Sequence, residues 1–314
     1  MLDGVTLTGN LDLAARRGNV SVLNGLTVNG SVDVGASDGS TFGFMFFDDT
    51  QTVSGTGSIF LGGDRNNFLQ IDTASTTVTL GPNLLVHGNN GVFTVSFSDS
   101  DAWVNQGTIA ADVSGGTITL NGTWTNNGSF QAQNGGKLTT TGAFSNAGNV
   151  TVGNLSTFTA RDYTQTAGTT TLNGGTLTAS ALVDIQGGIL AGTGTINADV
   201  QNAGLLTIGD STTPGILTII GNFTQTSAGT LAVKIGGTTT PGTDFDQLVI
   251  SPGFQATLGG TLQVTLINGY TPVTGDSVMI MTFDFATGTF EALAGDGGLF
   301  MDTYDTTDVT LIVI

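Results

Sequence analysis

Acid–base chemistry on a polysaccharide needs clustered carboxylates with a basic residue for elimination, or a carboxylate pair for hydrolysis. The cationic candidates for such work are His87, Lys137, Lys234, Arg16, Arg17, Arg65 and Arg161. Arg161 and Asp162 are adjacent, in the same stretch of chain as Lys137, and would form the dyad of an enzyme of this kind. The plainer reading of an Arg–Asp neighbour is a solvated ion pair of small energetic weight. His87, beside Gly88-Asn89-Asn90, reads as a residue next to a turn. No residue is assigned a catalytic role on this basis, and no organic cofactor is expected.

Hard-cation binding needs several oxygens converging in one loop. Aspartates pair at Asp48/Asp49, Asp99/Asp101, Asp244/Asp246 and Asp302/Asp305/Asp308. Asp99, Asp101, Asp244 and Asp246 are the candidates for a structural calcium ion. Neither the nonapeptide calcium repeat nor an EF-hand loop occurs, so aspartates solvated in turns are the plainer reading. A third pattern is a threonine array. Thr119, Thr139, Thr159 and Thr178 recur on one side of an apolar column, with Thr117, Lys137, Thr157 and Thr176 on the other. Facing outward on a flat sheet, such an array resembles an ice-binding surface; threonine is also simply a good, soluble strand residue. A fourth is the run TFGFMFFDD, where alternation is expected to bury Phe42, Phe44 and Phe46 and leave Phe47 outside, the alternative being an exposed glycan platform.

The elements that would position these residues follow from a repeat. Gly128, Gly148, Gly168 and Gly188 fall at steps of 20. Trp124, Phe144, Tyr163 and Val183 keep nearly the same beat, and Ile118, Leu138, Phe158 and Leu177 form a second series. A fixed period of this size signals stacked units, each burying its apolar face only against its neighbours. Strands this short cannot make a stable hairpin alone, but they fit a parallel coil with rungs ~4.8 Å apart. The expected fold is therefore all-β: a parallel, right-handed β-helix, or solenoid, over 1–205 with about 20 residues per rung. Residues 1–115 form less regular rungs with inserted loops, and 116–205 form the regular block. Asn126, Asn146, Thr166 and Gln186 are expected to form a ladder of side-chain hydrogen bonds. Longer strands and four of the five prolines mark 206–314 as a C-terminal β-rich cap. In its last strand, Val309, Leu311 and Val313 should turn inward, with pairing to 278–283.

Composition supports this and narrows the partners. Of 314 residues 49 are glycine, without the period of collagen, and a 39% hydrophobic content argues against disorder. A net charge of −18 repels nucleic acid and anionic membranes. Cysteine is absent, which removes disulfides and thiolate chemistry. No apolar run is long enough to cross a membrane as a helix, and the first residues lack the pattern of an export signal.

The segment 222–281 carries F-T-Q-x(4)-G-T-L at 223–231, D-F-D-Q-L-V-I at 244–250, G-G-T-L-x-V at 259–264 and T-G-D-S-V-x-I at 274–280. With the NGTWTNNGSF-type repeats, it resembles the β-helical surface and exported proteins of bacteria, of the autotransporter-passenger and filamentous-haemagglutinin kinds, without their membrane barrel. The resemblance implies an extracellular or cell-surface location and a role in adhesion or surface structure, with enzymatic work in some members. The expectation is a non-enzymatic extracellular structural or adhesive module of a bacterial surface or fibre protein. Its partners would be further copies of itself, in fibres or lattices, or a cell-surface or glycan ligand. A carbohydrate-active enzyme is the alternative reading and ice binding a lesser one.

Overall fold

A computed structural model describes residues 1–95 and 100–314. Among them there is no helix; the strands form a β-solenoid of about 10 turns, roughly 23 residues per turn. The chain divides into two compact units, Met1–Tyr163 and Thr164–Ile314.

The first unit consists of three columns of short parallel strands. One column stacks Ser31–Val34, Ser58–Leu61, Leu85–Gly88, Thr108–Ala111, Ser129–Ala132 and Asn149–Gly153. Its equivalent inward residues are Val32, Ile59, Val86, Ile109, Phe130 and Val150, so successive turns take 27, 27, 23, 21 and 20 residues. The period of about 20 thus belongs to the later turns, and the earlier ones carry longer corners. A second column runs from Phe44–Phe47 through Phe68–Ile71, Gly91–Val95, Thr117–Leu120 and Lys137–Thr140 to Thr157–Ala160. It stacks Ile118, Leu138 and Phe158 in register, as the repeat predicts. The third column aligns Trp103, Trp124 and Phe144.

Alternation decides which side chains fill the interior. Strands such as Thr117–Leu120 read half-exposed, buried, half-exposed, buried, as a period of two requires. Inside, Trp103 and Trp124 stack with centroids 5.4 Å apart and planes 7° apart, and Phe93 meets both edge-on. Backbones of successive turns approach closely at the phased glycines. A Cβ at Gly128 would lie 2.2 Å from the Gly107 carbonyl oxygen, and one at Gly148 would lie 2.2 Å from that of Gly128.

The second unit begins with two long strands, Thr169–Ile185 and Ile189–Asn202, paired in parallel over three stretches. One of its inward columns reads Leu190, Leu206, Leu231, Leu262 and Leu293. Parallel pairing therefore does not stop near residue 205, but continues to Ala292–Ala294. Inserted corners account for this: Leu206, Leu231, Leu262 and Leu293 are separated by 25, 31 and 31 residues, which breaks the sequence period without breaking the coil. Antiparallel pairing joins Ser277–Thr282, Asp308–Val313 and Phe300–Tyr304, with Asp308–Val313 lying between the other two. Val309, Leu311 and Val313 are buried there. The pairing of 308–312 with 277–282 agrees with the expectation from sequence.

Candidate functional site

Four phenylalanines lie together on the outer face of the first unit. In the strand Phe44–Phe47, Met45 and Phe47 point inward and are fully buried, while Phe44 and Phe46 are half-buried on the outside. This reverses the expected register, in which Phe42, Phe44 and Phe46 were interior and Phe47 exposed. The reason lies in the next strand, Phe68–Ile71, where Leu69 and Ile71 fill the interior and pair with Met45 and Phe47. The aromatic rings are left in mutual contact outside. Phe44 stacks on Phe68 with centroids 5.6 Å and planes 3° apart. It lies 5.9 Å from Phe46 and meets Phe42 edge-on at 5.2 Å.

Two turns set the margins of this cluster. At one, Asp12 Oδ1 accepts the backbone N–H groups of Ala14 and Ala15 at 2.8 and 3.0 Å. Arg16 and Arg17 follow with φ of 57° and 58°, and the Arg17 guanidinium carbon stands 4.8 Å from the Phe42 ring centroid. At the other, Asp64 Oδ1 accepts from the Asn66 backbone at 2.8 Å, with the exposed Arg65 between them. Buried Asn67 secures both strand starts. Its Oδ1 accepts from the Gly43 N–H at 3.2 Å, and its Nδ2 donates to the carbonyls of Asp64 and Asn90 at 2.7 and 2.9 Å. Arg65 borders a shallow recess with Asn90 and Val92, and Val92 is the strand partner of Phe68. Arg17 thus lies against Phe42 and Arg65 beside the strand partner of Phe68, and among the described residues neither forms an ion pair.

The other candidates are distributed as follows. Asp99 lies outside the described residues. Asp101 is buried; its Oδ1 accepts from the Thr76 N–H at 3.0 Å, and its Oδ2 has no hydrogen-bond partner. Asp244 and Asp246 serve separate partners. Asp244 accepts from the Thr240 backbone at 2.9 Å, whereas fully buried Asp246 meets the Lys234 ammonium at 2.7 Å and accepts backbone N–H groups of Gly215 and Lys234 at 2.8 and 2.7 Å. Lys234 also donates to the Ile208 carbonyl. Burial pushes the Asp246 carboxyl above the usual range, against the opposing pull of Lys234. Among the described residues no three acidic or histidine side chains converge as metal ligands would.

Thr119, Thr139 and Thr159 stand in register on the outside of the first unit, half-buried. Thr178 belongs to the second unit, paired with Asn197. Arg161 and Asp162 face each other at 3.6 Å with side chains 71% and 51% exposed, the geometry of a solvated pair. His87 lies within the strand Leu85–Gly88, pointing outward. Its Nδ1 is 3.1 Å from Asp112 Oδ2, and its ring meets Phe60 edge-on at 5.5 Å. Sequence reasoning missed this pairing; the partners are 25 residues apart, and only the turn length, which varies from rung to rung, brings them together. In the second unit, a groove of about 740 Å³ lies against the loop Gly209–Pro214, with Ile189, Ala191 and Thr207 on its floor.

No family model matches the chain, and no characterised protein matches it in sequence.

Proposed function

We propose that this protein is a non-enzymatic structural or adhesive module of an extracellular bacterial surface or fibre protein. The observation that carries this reading is the outward phenylalanine cluster. Contiguous apolar surface on a polar, strongly charged molecule marks a place where something else binds, and here it rests on a scaffold of interlocked parallel strands. Binding side chains held on regular strands keep their geometry better than those on loops. Repetition adds to it: outward threonines recur on the same column of strands as the phenylalanines.

The test is adhesion itself. Beads coated with the protein are scored for attachment to bacterial and host-cell surfaces, with electron microscopy of the protein at rising concentration. Attachment, or ordered filaments, supports the reading. Turnover of a polysaccharide, abolished by Asp162→Asn or Arg161→Gln, would replace it with the enzymatic one.

A further inference from the structure

We infer that the outer face formed by Phe42, Phe44, Phe46 and Phe68 is a binding site for an acidic glycan, a polysaccharide of uronic acid units; this rests on the adhesive reading above.

Two features of the site define the chemistry of its ligand. The first is the strip of rings, which follow one another at 5.2 to 5.9 Å and are each half-buried. Such a strip offers apolar surface without a deep cavity, and so suits a chain laid along it rather than a small molecule enclosed by it. The C–H surfaces of pyranose rings are apolar in the same piecemeal way. The second feature is charge. Arg17, over the Phe42 ring, and Arg65, in the turn before Phe68, are exposed and lack acidic partners among the described residues. Asp12 and Asp64 keep their charge, but their Oδ1 atoms accept backbone N–H groups of their own turns, and neither is paired with an arginine, so the guanidinium donors are open to a ligand. A guanidinium presents a planar fork of donors that matches a carboxylate.

On a chain of net charge −18, the attraction for a carboxylate at this face comes from the unpaired guanidinium forks at short range, not from the field of the whole molecule. Repulsion from the remaining surface is screened beyond ~8 Å at physiological salt. Nucleic acid fits less well: with one charge per ~1.7 Å of duplex, it would bring far more negative charge than two or three arginines offset. A second copy of the protein would bring its own −18.

The experiment uses the whole chain in affinity electrophoresis and calorimetry against three probes: polygalacturonate, the same polymer fully methyl-esterified, and neutral dextran. Polygalacturonate should bind, with at least tenfold weakening on esterification and no binding of dextran. Phe44→Ser with Phe68→Thr should abolish binding, while circular dichroism shows the β fold retained. Arg17→Gln with Arg65→Gln should weaken binding at least fivefold and flatten its dependence on salt. Equal binding of all three probes, or binding unmoved by both pairs of substitutions, overturns the assignment while leaving adhesion open. Sedimentation showing self-association through the same phenylalanines, without polygalacturonate binding, overturns it in favour of a second copy and leaves the structural reading standing.

Discussion

Asn126 Nδ2 donates to Asn146 Oδ1 at 2.7 Å, from one turn of the solenoid to the next, with both residues fully buried. Asn105 continues the chain below, donating to Asn126 Oδ1 at 2.8 Å. Asn126 also donates to the Asn149 carbonyl at 3.0 Å, so the ladder closes a corner as well as linking rungs. Asn126→Leu, of the same branched shape though bulkier, deletes this middle member. It should destabilise the first unit by about 1–3 kcal/mol, the cost of desolvated amide groups losing partners. Urea titration checks this; an unchanged midpoint would mean that the ladder is a packing feature only.

How much of this was legible depended on which column was read. Ile118, Leu138 and Phe158 announce their register because polar residues alternate with them on strands of equal phase. The amide ladder was legible at Asn126 and Asn146, then lost. The expected Thr166 and Gln186 are exposed, not interior: buried Gln165 donates to the carbonyls of Gly187 and Ile189, and Ile185 occupies the following inward place. A one-residue change of corner length is enough to flip a strand, and a 20-residue beat cannot resolve it. The phenylalanines failed for a related reason. FGFMFF is apolar on both faces, so alternation gives two answers, and only the partner strand, with Leu69 and Ile71 inside, chooses between them.

The two tryptophans should respond differently to the same substitution. Trp124 Nε1 donates to the Asn121 carbonyl at 3.1 Å, whereas Trp103 Nε1 is buried without a partner. Both lose comparable ring contacts on replacement by phenylalanine. Trp124→Phe also removes a hydrogen bond, and should be the more destabilising by about 1 kcal/mol. Trp103→Phe relieves an unsatisfied donor. Parallel denaturation of the two variants, followed by fluorescence of the remaining tryptophan, measures the difference; a larger loss at Trp103 would contradict the assignment.

Gly148→Ala tests the close approach of successive turns. The new methyl would sit 2.2 Å from the Gly128 carbonyl oxygen, a backbone atom that cannot swing aside. The turns must part locally, at a cost of about 1–3 kcal/mol as in other overpacked sites. Gly153→Ala is the control, because its nearest neighbour would be 3.5 Å away. Thermal unfolding of both variants should rank Gly148→Ala well below Gly153→Ala, and equal midpoints would refute the packing argument.

Asp210 supplies a pH signature in the second unit. Backbone N–H groups of Thr212 and then Thr213, followed by the Thr212 side chain, hold its carboxyl down to about 2 from an ordinary 3.8. A depressed folded pKa means that the native state binds its proton less readily than the unfolded chain. The associated stability is present above pH 3.8 and is lost as pH falls through about 2. The carboxyl carbon resonance of Asp210 should titrate near 2, with the Thr212 and Thr213 amides moving alongside it. A midpoint at or above 3.8 would mean that the loop Gly209–Pro214 is not held by this carboxylate. Asp210→Asn should then leave its amide exchange unchanged.

The strand Asp308–Val313 presents the sharpest test of how the second unit is held together. It lies between Ser277–Thr282 and Phe300–Tyr304, bonded to both. Val309, Leu311 and Val313 are at most 4% exposed, each contributing roughly 1.5–3 kcal/mol by burial. Removing 309–314 therefore takes away the middle strand of three and opens two pairing edges beside Val278, Ile280 and Met281, which are buried. Unpaired edges next to apolar surface recruit other chains, so the truncated protein should be unfolded in this unit or insoluble. Replacing Leu311 alone by Ala makes a cavity without opening an edge, and should cost about 2–5 kcal/mol while the protein stays soluble. Limited proteolysis separates the two effects: cleavage throughout Thr164–Ile314 in the deletion, and near-native protection in Leu311→Ala. A deletion variant that stays folded and soluble, but has lost an ability to associate, would show instead that this strand serves assembly between copies.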